Sequence, residues 1–368
     1  MKGRIIDRIM ITVALLGGLL CPPAQSAYLE EDPTATPAVR EFVPPERIPV
    51  PPPPPRDPTP FRRLIERVEI GRPHQAGWLT IFPLLLRDTG DQPDIRTLDE
   101  ALNRGWITVR EQDEARVSEV LVRNESRYPV FMMAGEILGG GRQDRIIRND
   151  VLVGPGRETV TVPVYCGEQD RWKGARDSFD HSPYLAGQSM RGMAARAASQ
   201  EAIWSEIDGR LKQSGVSAPT RSYQSLYNDR DLRRRIDTLV DRFHGIRTRR
   251  TVGLVILHSG RVVSGDLFGS PDLCERLWDK IIRSHAADGI LRDPGYRDAE
   301  LRVEDSSMAV RRFLEDLSRA GQTWEDTPGA GESFALTGRV DGHILSWGGG
   351  LVHAAAFPAG GPRPLPTL

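Results

Sequence analysis

Residues 129–172 read PVFMMAGEILGGGRQDRIIRNDVLVGPGRETVTVPVYCGEQDRW, and this stretch decides the fold. An apolar run closes on Glu136. A triple glycine (Gly139, Gly140, Gly141) follows, with Arg142, Gln143, Asp144, Arg145, Arg148 and Asn149 crowded behind it. Residues 158–165 form a second β-like run that ends on Cys166, Glu168, Arg171 and Trp172. Short runs of valine, isoleucine and aromatic residues broken by Gly, Asn and Pro mark a mainly antiparallel sheet.

Outward from that stretch, strands are expected at 78–86, 106–110, 117–122, 130–133, 151–153 and 158–165. Pro83 marks the first of these as an edge strand or the site of a bulge. Residues 97–104 have helical spacing and stop near Gly105. After Trp172 the pattern changes. Residues 175–187 read as a polar loop, and 189–213, 229–243 and 271–287 as amphipathic helices. A hairpin is expected from 252–257 and 262–267 around His258-Ser259-Gly260, with closing strands at 334–337 and 343–347. The class is therefore α+β: a mainly antiparallel β-sheet or sandwich core with several packed amphipathic helices.

The ends differ from this body. Residues 1–27 have the form of a secretory signal: Lys2, Arg4 and Arg8, a 12-residue apolar core at 9–20, then Ala24-Gln25-Ser26-Ala27. The apolar core is shorter than the ~20 residues of a membrane span, so cleavage, export to the periplasm or medium, and no remaining span are expected. Residues 28–60 form a proline-rich linker, expected to be disordered, with ten prolines among the 17 residues from 44 to 60. That run favours a stiff, solvated polyproline spacer over a docking motif for a protein partner. Residues 61–358 are expected to form one α+β domain, with 175–250 as the place where two lobes would divide, and 359–368 a flexible tail.

Loss of the leader takes the formal charge from −1 to −3, which excludes a nucleic-acid footprint. Only four of the 49 basic residues are lysine, an arginine skew typical of GC-rich genomes and weak as a sign of phosphate binding. Cys166 and Cys274 remain after cleavage; export permits a disulfide between them without establishing one.

Polar groups at the ends of buried strands are how a site is built. Glu136 and Glu168 are the candidate general acid or base, since burial would raise a carboxyl pKa into a useful range. Gln143, Arg145, Asn149, Arg171 and Trp172 are the candidate ligand-binding residues, because arginine forks hold carboxylates and phosphates bidentately. The glycine turn could offer consecutive amides to an anion, although it lacks the Gly-Lys-Ser/Thr element of a nucleotide loop. The seven histidines show no metal-binding spacing, so no metal site is assigned and a zinc site would have to assemble from distant residues. No cofactor is indicated.

The runs GEILGGGRQDRIIRND and VPVYCGEQDRW resemble the ARG and rhodanese-phosphatase-superfamily-associated protein domain, a bacterial domain of unknown function. The segments TLDEALNRGWITVRE, QEAIW (200–204) and VVSGDLFGSPDL (262–273) extend the resemblance over about 78–289. It implies genomic association with ADP-ribosylglycohydrolases and rhodanese-like phosphatases, hence nucleotide or ADP-ribose chemistry nearby. The expectation is a small anionic ligand in a Glu/Gln/Arg cleft. The alternatives are a hydrolase with a glutamate base, a non-catalytic envelope module on a proline-rich stalk, and an internal ion-pair network.

Overall fold

The apolar run at 78–86 forms a strand buried on both faces, and the largest sheet grows from it. The computed structural model describes residues 59–88, 90, 93–112, 117–171, 178–292 and 303–360. The expected leader, the linker up to residue 58, Trp172 and most of the tail lie outside the described residues. In chain order the strands are β1 Glu69–Ile70, β2 His74–Ala76, β3 Leu79–Leu85, β4 Arg96–Thr97, β5 Ile107–Glu111, β6 Glu119–Asn124, β7 Val130–Met132, β8 Glu136–Gly140, β9 Arg145–Ile147, β10 Val151–Val153, β11 Thr159–Cys166 and β12 Phe179–Leu185. They continue as β13 Thr251–His258, β14 Arg261–Phe268, β15 Gly321–Glu325, β16 Glu332–Thr337, β17 Val340–Trp347 and β18 Gly350–Pro358. The helices are α1 Pro60–Ile65, α2 Leu98–Asn103, α3 Gln188–Ala195, α4 Gln200–Ser214, α5 Arg230–Asp241, α6 Pro271–Arg292 and α7 Val303–Arg319.

Nine strands form one antiparallel sheet in the order β1-β3-β13-β14-β18-β17-β16-β15, with β2 also on β3. Alternation along β3 and β13 divides the side chains between two cores. Ile81, Leu254 and Ile256 face a core shared with α4, α5 and α6, whereas Phe82, Leu84, Val255 and Leu257 face one shared with α1 and α7. Each fully buried residue of this size contributes ~1.5–3 kcal/mol. Pro83 has neighbours on both sides, but its carbonyl accepts from Gly71 N in the gap between β1 and β2, so its missing N–H costs no ladder bond. A register shift in β13 lies between Thr251 and Gly253, opposite Leu84 and Leu85.

A second sheet runs β12-β8-β9-β11-β6-β5, and a bridge from Arg110 to Ser178 brings its two ends together, so it curls into a half-barrel. The third, β10-β7-β4, joins β4 to β7 in parallel. The architecture is α+β, about 33% helix and 36% strand. Helix starts follow from capping: Thr97 accepts from Glu100 N at 3.3 Å, with Asp99 and Glu100 in the first turn of α2.

Three local expectations change. The polar loop at 175–187 contains a strand, β12, because pairing with β8 orders it even though a register shift breaks its alternation. The single helix at 189–213 is two helices, α3 and α4. Ala197 turns left-handed (φ 52) and Ser199 caps α4 through Ala202 N at 3.3 Å. The polar glycine connection is itself the hairpin β8–β9, where a Cβ on Gly140 would meet Ser178 O at 2.7 Å. Among the described residues no helix is long and apolar enough to cross a membrane.

Candidate functional site

The hairpin β8–β9 and the end of β11 bring four of the candidate residues into one neighbourhood. Arg145 pairs with Cys166 across β9–β11. Its Nη2 donates to both oxygens of Glu111 at 3.1 Å, and its Nη1 donates to Gln143 Oε1 at 3.1 Å and Cys166 Sγ at 2.9 Å. Gln200 brackets Cys166, accepting from its N–H at 2.8 Å and donating to its carbonyl at 3.1 Å. Burial pushes the Cys166 thiol up and outweighs the pull of Arg145. A thiol held protonated is a poor nucleophile.

Arg171 completes the neighbourhood. It donates to Glu168 Oε2 at 2.8 Å, to the carbonyls of Gly141 at 2.9 Å and Gly140 at 3.2 Å, and to Asp144 Oδ1 at 3.2 Å. The hydrogen bond to Glu168, together with the charges of Glu168, Asp144 and Glu111, raises its pKa. The glycine amides are occupied too. Gly140 N–H donates to Asp144 Oδ1 at 3.1 Å, Gly141 N–H to Ser178 O at 3.1 Å, and Arg142 N–H to Glu111 Oε1 at 3.0 Å. Asp144 and Glu111 thus take the place an external anion would fill.

Glu136 belongs elsewhere. It is fully buried at the start of β8, where Oε2 accepts from Met133 N–H at 2.8 Å and Oε1 from Lys280 Nζ at 2.7 Å. Lys280, on α6, also donates to Asp99 Oδ1 at 2.6 Å. Burial disfavours the ammonium, yet these two carboxylates outweigh it and hold its pKa above the ordinary value. Asn149 is half-buried in the bend after β9, and Trp172 lies outside the described residues.

A different polar centre sits on the face of the nine-stranded sheet. Asp266 of β14 and His343 of β17 each lie opposite Ala355 of β18, and His353 is two residues along the same strand face. Asp150, next to Asn149, reaches them from the bend before β10. Its Oδ1 accepts from Ala134 N–H at 2.8 Å, and its Oδ2 meets His353 Nδ1 at 2.6 Å. His353 Nε2 faces Asp266 Oδ1 at 3.3 Å, and Arg191 of α3 grips Asp266 with Nη2 at 2.5 Å from Oδ1.

His343 Nε2 lies 3.1 Å from Asp150 Oδ2 but off the direction a hydrogen bond requires, so this nitrogen, on a side chain 9% exposed, is left without one. Burial opposes the Asp150 carboxylate, but the charges of His343 and His353 hold it well below its usual range. Asp150 and Asp266 in turn raise His353 against its own burial. Gly135 is required beside this centre. Its φ is 94°, and a Cβ there would stand 2.7 Å from Arg191 Cγ.

No spacing rule finds these residues, because His343 and His353 sit on the two arms of one hairpin and Asp150 is far away in sequence. The usable signal was a titratable group inside each of two runs otherwise fit for burial, SGDLF at 264–268 and LVHAAAF at 351–357.

Fold and polar interior together define an antiparallel α+β domain with an acid–histidine centre between its layers. Residues 67–357 match the ARG and rhodanese-phosphatase-superfamily-associated protein domain, and the chain belongs to that family. No curated protein and no solved structure matches the chain.

Proposed function

We propose that the domain is a non-catalytic binding module whose ligand is a cation, held at Asp150, His343 and His353. The observation that carries this reading is a buried nitrogen, His343 Nε2, left without a hydrogen bond beside Asp150 and His353. Among the described residues Arg191 holds Asp266, while Asp150 accepts from Ala134 N–H, meets His353 Nδ1 and has His343 Nε2 beside it. Three lone-pair atoms of Asp150, His343 and His353, all within 4.8 Å of one another, give a cation a place.

The Glu/Gln/Arg neighbourhood supports anion binding less well, since its guanidiniums already answer its own carboxylates. Hydrolysis would also want a free base beside an anion clamp, and Glu136 faces Lys280 instead.

The test is a melting-shift screen on chelator-treated protein. One arm holds inorganic phosphate, nucleotides and ADP-ribose; the other holds Mg²⁺, Ca²⁺, Mn²⁺, Co²⁺ and Zn²⁺. A cation at 100 times its Kd should add about 2.7 kcal/mol. Stabilisation by the anions alone, with product released, would overturn the reading. The leader-like residues 1–27 and the proline spacer support a location outside the cytoplasm; recovery of the tagged full chain in the cytoplasmic fraction would sink that part.

A further inference from the structure

We infer that the cation is a divalent transition metal of the zinc class, bound through Asp150 Oδ2, His343 Nε2 and His353 Nδ1. This rests on the reading of that centre as a cation site and adds the identity of the ion. Two imidazole nitrogens and one carboxylate oxygen suit zinc and its neighbours; calcium and magnesium take oxygen ligands.

Each donor is already oriented. The buried nitrogen of His343 has no hydrogen bond and lies 3.1 Å from Asp150 Oδ2. Asp150 is fixed through its other oxygen by Ala134 N–H at 2.8 Å. His353 presents Nδ1 to the centre while Nε2 faces Asp266 Oδ1 at 3.3 Å. A ligating histidine whose second nitrogen donates to a carboxylate is the arrangement that fixes tautomer and ring angle at metal sites. Arg191 holds Asp266 in turn, and the rings of Phe268 and Phe131 stand 4.5 and 5.5 Å from that of His353.

The separations to Asp150 Oδ2 lie near those around a bound ion, and the three donor atoms all fall within 4.8 Å of one another. Metal–ligand bonds of ~2.0–2.1 Å place tetrahedral ligands about 3.3 Å apart. The 3.1 Å between His343 Nε2 and Asp150 Oδ2 is close to that, and the 2.6 Å between His353 Nδ1 and Asp150 Oδ2 must widen. Three protein ligands leave a fourth position for water. All three ligand residues are buried, so the ion joins the bend before β10 to the β17–β18 hairpin rather than meeting substrate.

The test uses the full chain, stripped with chelator and titrated with Zn²⁺ and Co²⁺. Metal content is read by mass spectrometry, and the cobalt form by its visible absorption. One equivalent per chain and a low-symmetry, four- or five-coordinate cobalt spectrum are expected. Asp266→Asn should weaken binding by about 10- to 100-fold, and His343→Ala by at least as much. The melting temperature of the metal-free His343→Ala protein should fall, because the buried Asp150 carboxylate loses a neighbour 3.1 Å away, but unfolding should stay cooperative, so that metal affinity is compared between folded proteins. His244→Ala, at an exposed histidine, serves as the control and should bind as the parent does. Folded parent protein that takes up neither metal, or His343→Ala that binds as tightly as the parent, overturns the inference. Stabilisation by Ca²⁺ or Mg²⁺ without zinc or cobalt uptake would refute the metal's identity and leave the cation reading standing. No response to any cation removes both.

Discussion

Lys280→Met isolates the role of Glu136. The substitution keeps the length and apolar stem of the side chain and removes the ammonium that lies 2.7 Å from Glu136 and 2.6 Å from Asp99. Asp99 has a 30% exposed side chain and can turn to water. Glu136 is 0% exposed and keeps only the Met133 N–H. Removing one partner of a buried pair costs about 3–5 kcal/mol. With a urea slope of about 3 kcal/mol per molar, the midpoint should fall by about 1–1.7 M. Adding Glu136→Gln should restore part of the loss, because the amide oxygen still accepts from Met133 and no charge is stranded. The double variant should therefore sit about 1–2 kcal/mol below the parent, near the value of one or two hydrogen bonds. The assay is equilibrium urea unfolding followed by circular dichroism and fluorescence for all four corners of the cycle. A Lys280→Met cost under about 1 kcal/mol, or a double variant that costs the sum of the singles, would refute a structural role for Glu136 and reopen a catalytic one.

Other outcomes follow from the same contacts. Cys166 and Cys274 are buried free thiols, and burial raises both; in protein lacking residues 1–27, and with them Cys21, Ellman's reagent should detect neither until denaturant is added, and a fast-reacting native thiol would contradict this. Gly215→Ala should cost ~1 kcal/mol, since its φ is 66° and a Cβ meets nothing within 4 Å. Gly135→Ala should cost clearly more, because its Cβ would also displace Arg191; equal melting temperatures would show that Arg191 is not tightly held. The alkaline limb of stability carries a signature of Lys280. Its folded pKa is raised, so its contribution is whole below the ordinary value of about 10.4 and is lost as pH climbs through the folded value. The parent should lose melting temperature over that window faster than Lys280→Met, and parallel curves would exclude the pairing.

How much of this was legible depends on where each partner lies in the chain. The strands at 78–86, 151–153 and 158–165 are local runs of β-formers, and packing confirms what those runs prefer. The glycine hairpin and β12 were hidden because order there comes from pairing with each other, and a register shift removes the alternation that would betray a strand. The polar residues divide the same way. Gln143 and Arg145 stand close in sequence, as do Glu168 and Arg171, but Glu111 is 34 residues from Arg145 and Lys280 is 144 from Glu136. Without those partners in view, a guanidinium looks free to take an external anion and a buried carboxylate looks like a base. The opposite distortion affects the histidines. His353 is 203 residues from Asp150, and a hairpin places it across from His343 at a spacing no helix or finger motif uses. What separates the two regions physically is whether the buried polar atoms have found partners. Around Arg145 and Arg171 each cation meets carboxylates of the chain. Around Asp150 a buried nitrogen of His343 has no hydrogen bond among three converging donors, and that is why the second region, silent in the sequence, is the one that calls for a ligand.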